Sequence, residues 1–257
     1  ENLNSPNNKR AAKLRAKTVM FDEMTPSIIM AGFPMLDWID IAMSPVCLPG
    51  EVDQNANIMY VDAAERMGLA ADVCPLPSAE VGCAIVDDYP QVGSSFITSS
   101  MPCDGSLGAA LFMDRYMKKL PSFTLTPPQR FNEPETNAYA VKDLKNCIRF
   151  IEETYHVKWD WDAFWEKAEE YNKTTQCMLD KWDVNCTPYP QVIGSALSLQ
   201  REYEFQTAAC LDPFMTKQDE KVTKMMLKGY EKDREADRRD YKYRAIVWCC
   251  PAHYYTH

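Results

Sequence analysis

The hydrophobic pattern in the first half of the chain alternates between short strand-like and helix-like segments. Residues 95–98 are apolar and β-branched, which is typical of a buried strand. Residues 99–105 form a breaker-rich turn, after which Asp104 or Ser106 can cap an amphipathic helix. Residues 78–90 predict another helix ahead of the strand. This order of elements predicts an α/β fold with a Rossmann-like parallel sheet and crossover helices.

Shorter segments on either side agree with this fold class. Residues 9–17 predict a short basic helix, and residues 26–49 mix apolar runs with Gly and Pro as strands and turns do. Residues 62–68 predict a helix that ends at its glycine. In the helix ahead of the strand, Ser78 is the predicted N-cap, and Glu80 lies in the first turn, where the helix dipole favours a negative charge.

Long amphipathic helices dominate the second half of the chain, after a proline-rich linker at residues 124–134. Apolar side chains recur at helical spacing through residues 136–155 and 161–182, and two further helices are predicted at residues 192–205 and 219–239. We expect the aromatic residues of these helices to form core and the densely charged last helix to have a solvated surface.

The change in pattern predicts three parts of the chain. Residues 1–125 are expected to form a Rossmann-like domain, and residues 126–242 a helical segment. Residues 243–257 contain the strand-like run 245–248, which predicts the first strand of a second α/β domain. Because a strand in this position needs elements after it, we expect the sequence to be a truncated part of a longer polypeptide.

Composition narrows the class of protein. A chain of 257 residues with 46% hydrophobic residues can bury a substantial core. Its net charge of −9 argues against nucleic acid or an anionic membrane as the main partner. The longest apolar run is interrupted by Asp37, Asp40 and two prolines, so no membrane span is predicted. Ten cysteines without a secretory signal predict reduced thiols and a cytoplasmic protein.

Two cysteines occupy similar positions in the pattern. Cys103 lies between the predicted strand and the following helix, and Cys74 lies in a turn before the preceding helix. The amino end of a helix favours a thiolate, which is the form that binds metal. Loops at the strand ends of one sheet can meet, so a soft metal centre is one interpretation; cysteines that only fill space are the other. Three histidines and no Cys-x-x-Cys pair make a structural zinc site unconvincing.

Several motifs together resemble a known family. The sequence has Asp-Val-Cys-Pro at residues 72–75, Gly82 eight residues after Cys74, and Met-Pro-Cys-Asp at residues 101–104. With the helical residues 137–172, which end in Glu-Tyr-Asn, they resemble the 2-hydroxyacyl-CoA dehydratase and benzoyl-CoA reductase family. The resemblance implies one subunit of an oxygen-sensitive heterodimer in which each subunit carries a [4Fe-4S] cluster held by three cysteines.

By that resemblance, Cys74 and Cys103 are two of the three cluster ligands. The third is expected beyond His257, and the less favoured alternatives within the sequence are Cys249 or Cys250, and Cys83. No residue is assigned to catalysis. Candidate bases in the sequence are Glu80 and the pair at residues 87–88, although a dipole partner is the favoured interpretation of Glu80.

The resemblance also implies a reaction and partners. It implies elimination of water from an (R)-2-hydroxyacyl-CoA through a ketyl radical, with the electron supplied by a separate ATP-dependent activator protein and with a homologous second subunit as partner. No Gly-rich phosphate loop occurs in the sequence, which agrees with ATP hydrolysis elsewhere. The alternatives are a related benzoyl-CoA or double-cubane reductase, a non-catalytic electron-relay or scaffold subunit, and a metal-free α/β protein.

Overall fold

The structure is a computed structural model of the chain. The residues it describes are 8–21, 27–40, 53, 55–89, 92–100, 104–116, 120–128, 133–206 and 209–239. Contacts divide the chain into two compact units, Glu1–Asp160 and Trp161–His257. The predicted strand at residues 245–248 and the remainder of residues 243–257 lie outside the described residues.

The first unit is built on a parallel sheet. Its strands are β1 (Thr18–Phe21), β2 (Asp37–Asp40), β3 (Ser95–Ser99) and β4 (Ser122–Leu125). They lie side by side in the order β2-β1-β3-β4, and every neighbouring pair is parallel. The predicted α/β class with a parallel, Rossmann-like sheet is therefore confirmed, and β3 ends one residue later than predicted.

Helices surround this sheet. The α-helices of the first unit are α1 (Lys9–Arg15), α2 (Ile58–Arg66), α3 (Pro75–Ile85), α4 (Asp104–Tyr116) and α5 (Pro134–Tyr155), and Ser27–Gly32 is a 3₁₀ helix. Helix α2 ends where predicted, since Gly68 follows it with a φ of 103°, a conformation that glycine adopts without strain.

The central strands β1 and β3 are buried along their whole length because both faces of the sheet are covered there. Met20 and Phe96 point to one face, where they pack with residues of α2, α3 and α4. Val19 and Ile97, one position away on the same strands, point to the other face and pack with Ile151 of α5. Successive residues of a strand face opposite sides, so such strands read as continuous apolar runs. Helix α5 thus belongs to the first unit, whereas the sequence pattern placed it in the helical segment.

The start of α3 differs from the sequence prediction. The helix begins at Pro75, three residues before the predicted cap Ser78, which is itself buried inside the first turn. Proline fits the first position of a helix because that N–H has no partner in the helix. Consequently Glu80 is not in the first turn but in the middle of the helix, with only 4% of its surface exposed.

The second unit is helical. It contains α6 (Trp161–Asn185), α7 (Gly194–Gln206), the 3₁₀ helix Ala209–Leu211 and α8 (Pro213–Glu235). Apolar side chains of α6, α7 and α8 form its core, together with a buried ion pair between Lys181 and Asp219. Helix α8 begins earlier than predicted because Asp212 caps it and Pro213 occupies its first position. None of the helices in the described ranges combines the length and the apolar character that crossing a bilayer requires.

Candidate functional site

The sheet has one edge at which a ligand site is expected. From β1 the chain passes to β2 on one side, and it later returns to β3 on the other side of β1. The carboxyl ends of β1 and β3, Phe21 and Ser99, therefore flank the point where the strand order reverses. Open α/β sheets bind ligands outside the carboxyl ends of their strands at such a point. Strand β1 was not among the predicted elements, although its apolar, β-branched run Thr18–Phe21 is typical of a buried strand.

The chain leaves β3 in a well-fixed position. Ser99 and Ser100 are buried, and the Ser100 N–H donates to the carbonyl of Leu125 at 2.9 Å. Helix α4 then begins at Asp104, so both predicted caps, Asp104 and Ser106, lie inside the helix instead of preceding it. Cys103, directly before Asp104 in the sequence, lies outside the described residues. The strand and the helix on either side of it are confirmed.

Cys74 is the N-cap residue of α3. Its φ of −51° and ψ of 134° are extended, and its thiol is exposed and makes no capping hydrogen bond. Its carbonyl accepts two hydrogen bonds from Ser78, at 3.2 Å from the backbone N–H and at 2.9 Å from the hydroxyl. The backbone of Cys74 is thus fixed, while its sulfur is accessible for binding.

The topology indicates at which edge Cys74 lies. Helix α3 leads into the amino end of β3, and α4 leads into the amino end of β4, so both run back against the strand direction. Their amino ends are therefore at the carboxyl edge of the sheet. The two helices also pack against each other. Cys74 consequently lies at the carboxyl edge of the sheet, as does the exit of β3.

Cys83 is in a different environment. It follows Cys74 by nine residues on the same helix, which separates the two by about 13 Å along the axis. Its side chain is fully buried, and burial, with a smaller contribution from the negative charge of Asp88, raises the pKa of its thiol to about 12. Cys83 is therefore a buried core residue about 13 Å from Cys74 along the axis of α3.

The acidic candidates also lie away from this edge. Asp87 and Asp88 follow the carboxyl end of α3, at the opposite end of the helix from Cys74. Asp87 has a φ of 62°, and Asp88 accepts a hydrogen bond from the hydroxyl of Tyr60 at 3.4 Å. The pair therefore lies just beyond the carboxyl end of α3, away from Cys74.

The remaining cysteines divide by burial: Cys177 is buried, like Cys147 and Cys210, and Cys47 lies outside the described residues. Burial raises the pKa of the thiols of Cys147 to about 12 and of Cys210 to about 11, and these side chains pack within their units. Cys186 is exposed in the second unit. Cys249 and Cys250 lie outside the described residues. Within the ranges given above, no group of three or more His, Cys, Asp or Glu side chains is placed to hold a metal ion.

Gly82 explains how α3 is held. A Cβ atom at this position would lie 1.7 Å from the backbone carbonyl oxygen of Tyr60, so α2 and α3 approach closely only because residue 82 has no side chain. The glycine that contributed to the sequence resemblance therefore has a packing role in the helix that begins after Cys74.

The sequence also matches a known protein family. Residues 50–257 match the protein family described as 2-hydroxyglutaryl-CoA dehydratase, D-component. This match spans most of the chain, including both cysteine motifs, and it confirms the family resemblance. No curated protein matches the sequence.

Proposed function

Because the chain belongs to the 2-hydroxyglutaryl-CoA dehydratase D-component family, we propose that it is a subunit of a [4Fe-4S] enzyme that eliminates water from an (R)-2-hydroxyacyl-CoA. The family match over residues 50–257 carries this proposal. A component of a dehydratase functions with a partner subunit, so we further propose a heterodimer with a homologous chain.

We propose Cys74 and Cys103 as two cysteine ligands of the cluster, with the third outside the described residues. Cys74 fits this role because its thiol is exposed and because it precedes the amino end of α3. The dipole of that helix stabilises a thiolate there. Cys103 directly precedes α4, whose amino end offers the same stabilisation. When bound, such a cluster supplies low-potential electron transfer and a Lewis-acidic iron.

The reaction explains why a one-electron donor is needed. Loss of water requires removal of a proton from the β-carbon, which is far too weakly acidic for an ordinary side-chain base. One electron added to the thioester carbonyl gives a ketyl radical that expels the α-hydroxyl group as hydroxide and acidifies the β-proton. After that proton is lost, the electron is returned, so the net change is loss of water without oxidation or reduction. We propose that an ATP-dependent activator protein supplies the electron.

The chain contributes a rigid frame to this chemistry. Ser78 fixes the backbone of Cys74, and Gly82 lets α3 pack directly on the backbone of α2. The chain leaves β3 at the same carboxyl edge of the sheet at which α3 begins. These contacts restrict the movement of the proposed ligand, which keeps the cost of forming the site low.

Anaerobic reconstitution with iron and sulfide tests the proposal. We expect the wild-type chain to take up iron and to show the broad visible absorption of an iron–sulfur cluster. Cys74→Ser and Cys103→Ser are each expected to lose most of this uptake. Cys186→Ser is the matched control, because Cys186 is also exposed but lies in the second unit. Full iron uptake by both ligand variants, or none by the wild type, would contradict the cluster.

The role of this subunit within the heterodimer is tested by a second measurement. The electron paramagnetic resonance signal that disappears in Cys74→Ser is assigned to this chain's cluster. If the substrate binds next to this cluster, adding the acyl-CoA to the reduced complex will change that signal. An unchanged signal here, with a changed signal from the partner subunit, would identify this chain as the electron-relay subunit instead.

A further inference from the structure

The sheet face that α2, α3 and α4 cover changes from apolar to polar at its carboxyl end. Met20 of β1 and Phe96 of β3 are apolar and pack with these helices. Side chains two residues apart on a strand share a face, so Thr98 follows Phe96 on this face. The hydroxyl of Thr98 lies 2.8 Å from that of Thr124 on β4 and forms a hydrogen bond with it. The apolar face therefore ends in hydroxyl groups.

Ser100 continues this row directly after β3. Its backbone N–H donates to the carbonyl of Leu125 at 2.9 Å, just as the N–H of Phe96 donates to the carbonyl of Pro121 at 3.0 Å. The ladder to β4 thus keeps its regular step as far as Ser100, so the side chain of Ser100 points to the same face as that of Phe96. We use the name hydroxyl cluster for Thr98, Ser100 and Thr124.

The hydroxyl cluster retains two protons that no described residue accepts. A pair of hydroxyl groups shares one hydrogen bond, which uses one of its two protons. Ser100 adds a further proton, and within the described ranges its hydroxyl group forms no hydrogen bond. Thr98 and Ser100 have only 3% and 7% of their surface exposed. Because a buried donor without an acceptor is costly, we expect an acceptor at this end of the sheet.

Two helix amino ends lie at the same edge and on the same face. Helices α3 and α4 pack on the face of the hydroxyl cluster, through Val81 and Ala109 among others. Both begin at the carboxyl edge of the sheet, α3 directly after Cys74. Their amino ends add N–H donors and the positive ends of two helix dipoles. On the opposite face at this edge, Leu125 is apolar and packs with α5. The face of the hydroxyl cluster therefore favours an electron-rich acceptor.

We propose that the hydroxyl groups of Thr98 and Ser100 donate hydrogen bonds to sulfur atoms of the cluster that Cys74 is proposed to hold. This assignment rests on the cluster proposed above. The sulfur atoms of an iron–sulfur cluster carry negative charge and can only accept hydrogen bonds. Since reduction makes the cluster more negative, such hydrogen bonds stabilise its reduced form more than its oxidised form and raise the reduction potential. Thr98 and Ser100 thus act through the cluster and do not bind its iron.

A redox titration of the reconstituted full chain, followed by electron paramagnetic resonance, tests this assignment. Thr98→Val/Ser100→Ala is the test variant. Thr18→Val/Ser95→Ala is the matched control, because it removes one Thr and one Ser hydroxyl from buried positions at the amino ends of β1 and β3. We expect both variants to take up iron. The equilibrium constant for one-electron reduction should fall about tenfold in the test variant, a decrease of about 59 mV, and should stay unchanged in the control.

Two single variants separate the hydroxyl group from packing. Thr98→Ser keeps the hydroxyl and should keep the wild-type potential. Ser100→Ala should lower the potential by less than the double variant, and it provides the measurement if the double variant does not fold. An unchanged potential in the test variant with full iron uptake, or an equal decrease in the control, would overturn this assignment alone. Absence of iron uptake by the wild type would overturn it together with the proposed cluster, so the two failures are distinguishable.

Discussion

Replacing Gly82 by alanine is the most direct test of how the chain holds its proposed ligand. The new Cβ would lie 1.7 Å from the carbonyl oxygen of Tyr60, 2.4 Å from its carbonyl carbon and 2.7 Å from its Cα. All three atoms belong to the backbone of α2, so no side chain can turn away. Reaching even 3.0 Å from the oxygen requires the helices to separate by about 1.3 Å.

The expected cost follows from two opposing effects. Overpacking of this kind costs typically about 1–3 kcal/mol, and occasionally more. Alanine is favoured over glycine inside a helix by roughly 0.5–1 kcal/mol. Since the clash is with backbone atoms, we expect the packing cost to dominate and the variant to be less stable by about 1–3 kcal/mol. Because α3 begins directly after Cys74, its displacement should also reduce iron uptake.

Gly108→Ala provides a matched control with the opposite sign. Gly108 is also inside a helix, but no atom lies within 4 Å of its added Cβ. Only the helix preference then remains, so this variant should be as stable as the wild type or more stable by up to about 1 kcal/mol. Urea unfolding followed by circular dichroism measures both. If Gly82→Ala is as stable as Gly108→Ala, the close approach of α2 and α3 is refuted.

Two further predictions concern single titratable groups. At pH 8, iodoacetamide should modify the exposed Cys74 and leave Cys83 unmodified in the folded chain, because burial raises the pKa of the Cys83 thiol to about 12. Peptide mass spectrometry measures the labelling of each cysteine. Equal labelling of the two would contradict the buried position of Cys83. Burial also raises the pKa of Glu204 above 4.5, so the folded chain binds this proton more tightly than the unfolded chain and its stability falls as the pH rises above 4.5. Glu204→Gln can still accept the hydrogen bond from Gln200. In urea unfolding, this variant should therefore be more stable than the wild type at pH 7.5 and should lose this advantage towards pH 4.5. A difference in stability that did not change with pH would contradict the raised pKa of Glu204.

Local sequence determined much of the first unit. The β-branched run that became β3 and the amphipathic run after the turn that became α4 were predicted because their patterns match the two-residue and 3.6-residue periods of strands and helices. Gly68 marked the end of α2 for an equally local reason, since glycine adopts a positive φ without strain. The motif around Cys74 was sufficient, with Cys103 and its neighbours, to indicate the family.

Which side chains are buried, and which lie close together, depended on long-range packing, because these properties involve residues that are far apart in the sequence. Pro75 was a local signal for the start of α3, but the burial of Glu80, with 4% of its surface exposed, was decided by the packing of that helix. The separation of Cys83 from Cys74 depends on where α3 begins. The order β2-β1-β3-β4 likewise arises from long-range strand pairing, and it is this order that makes the carboxyl ends of β1 and β3 the expected place for a ligand.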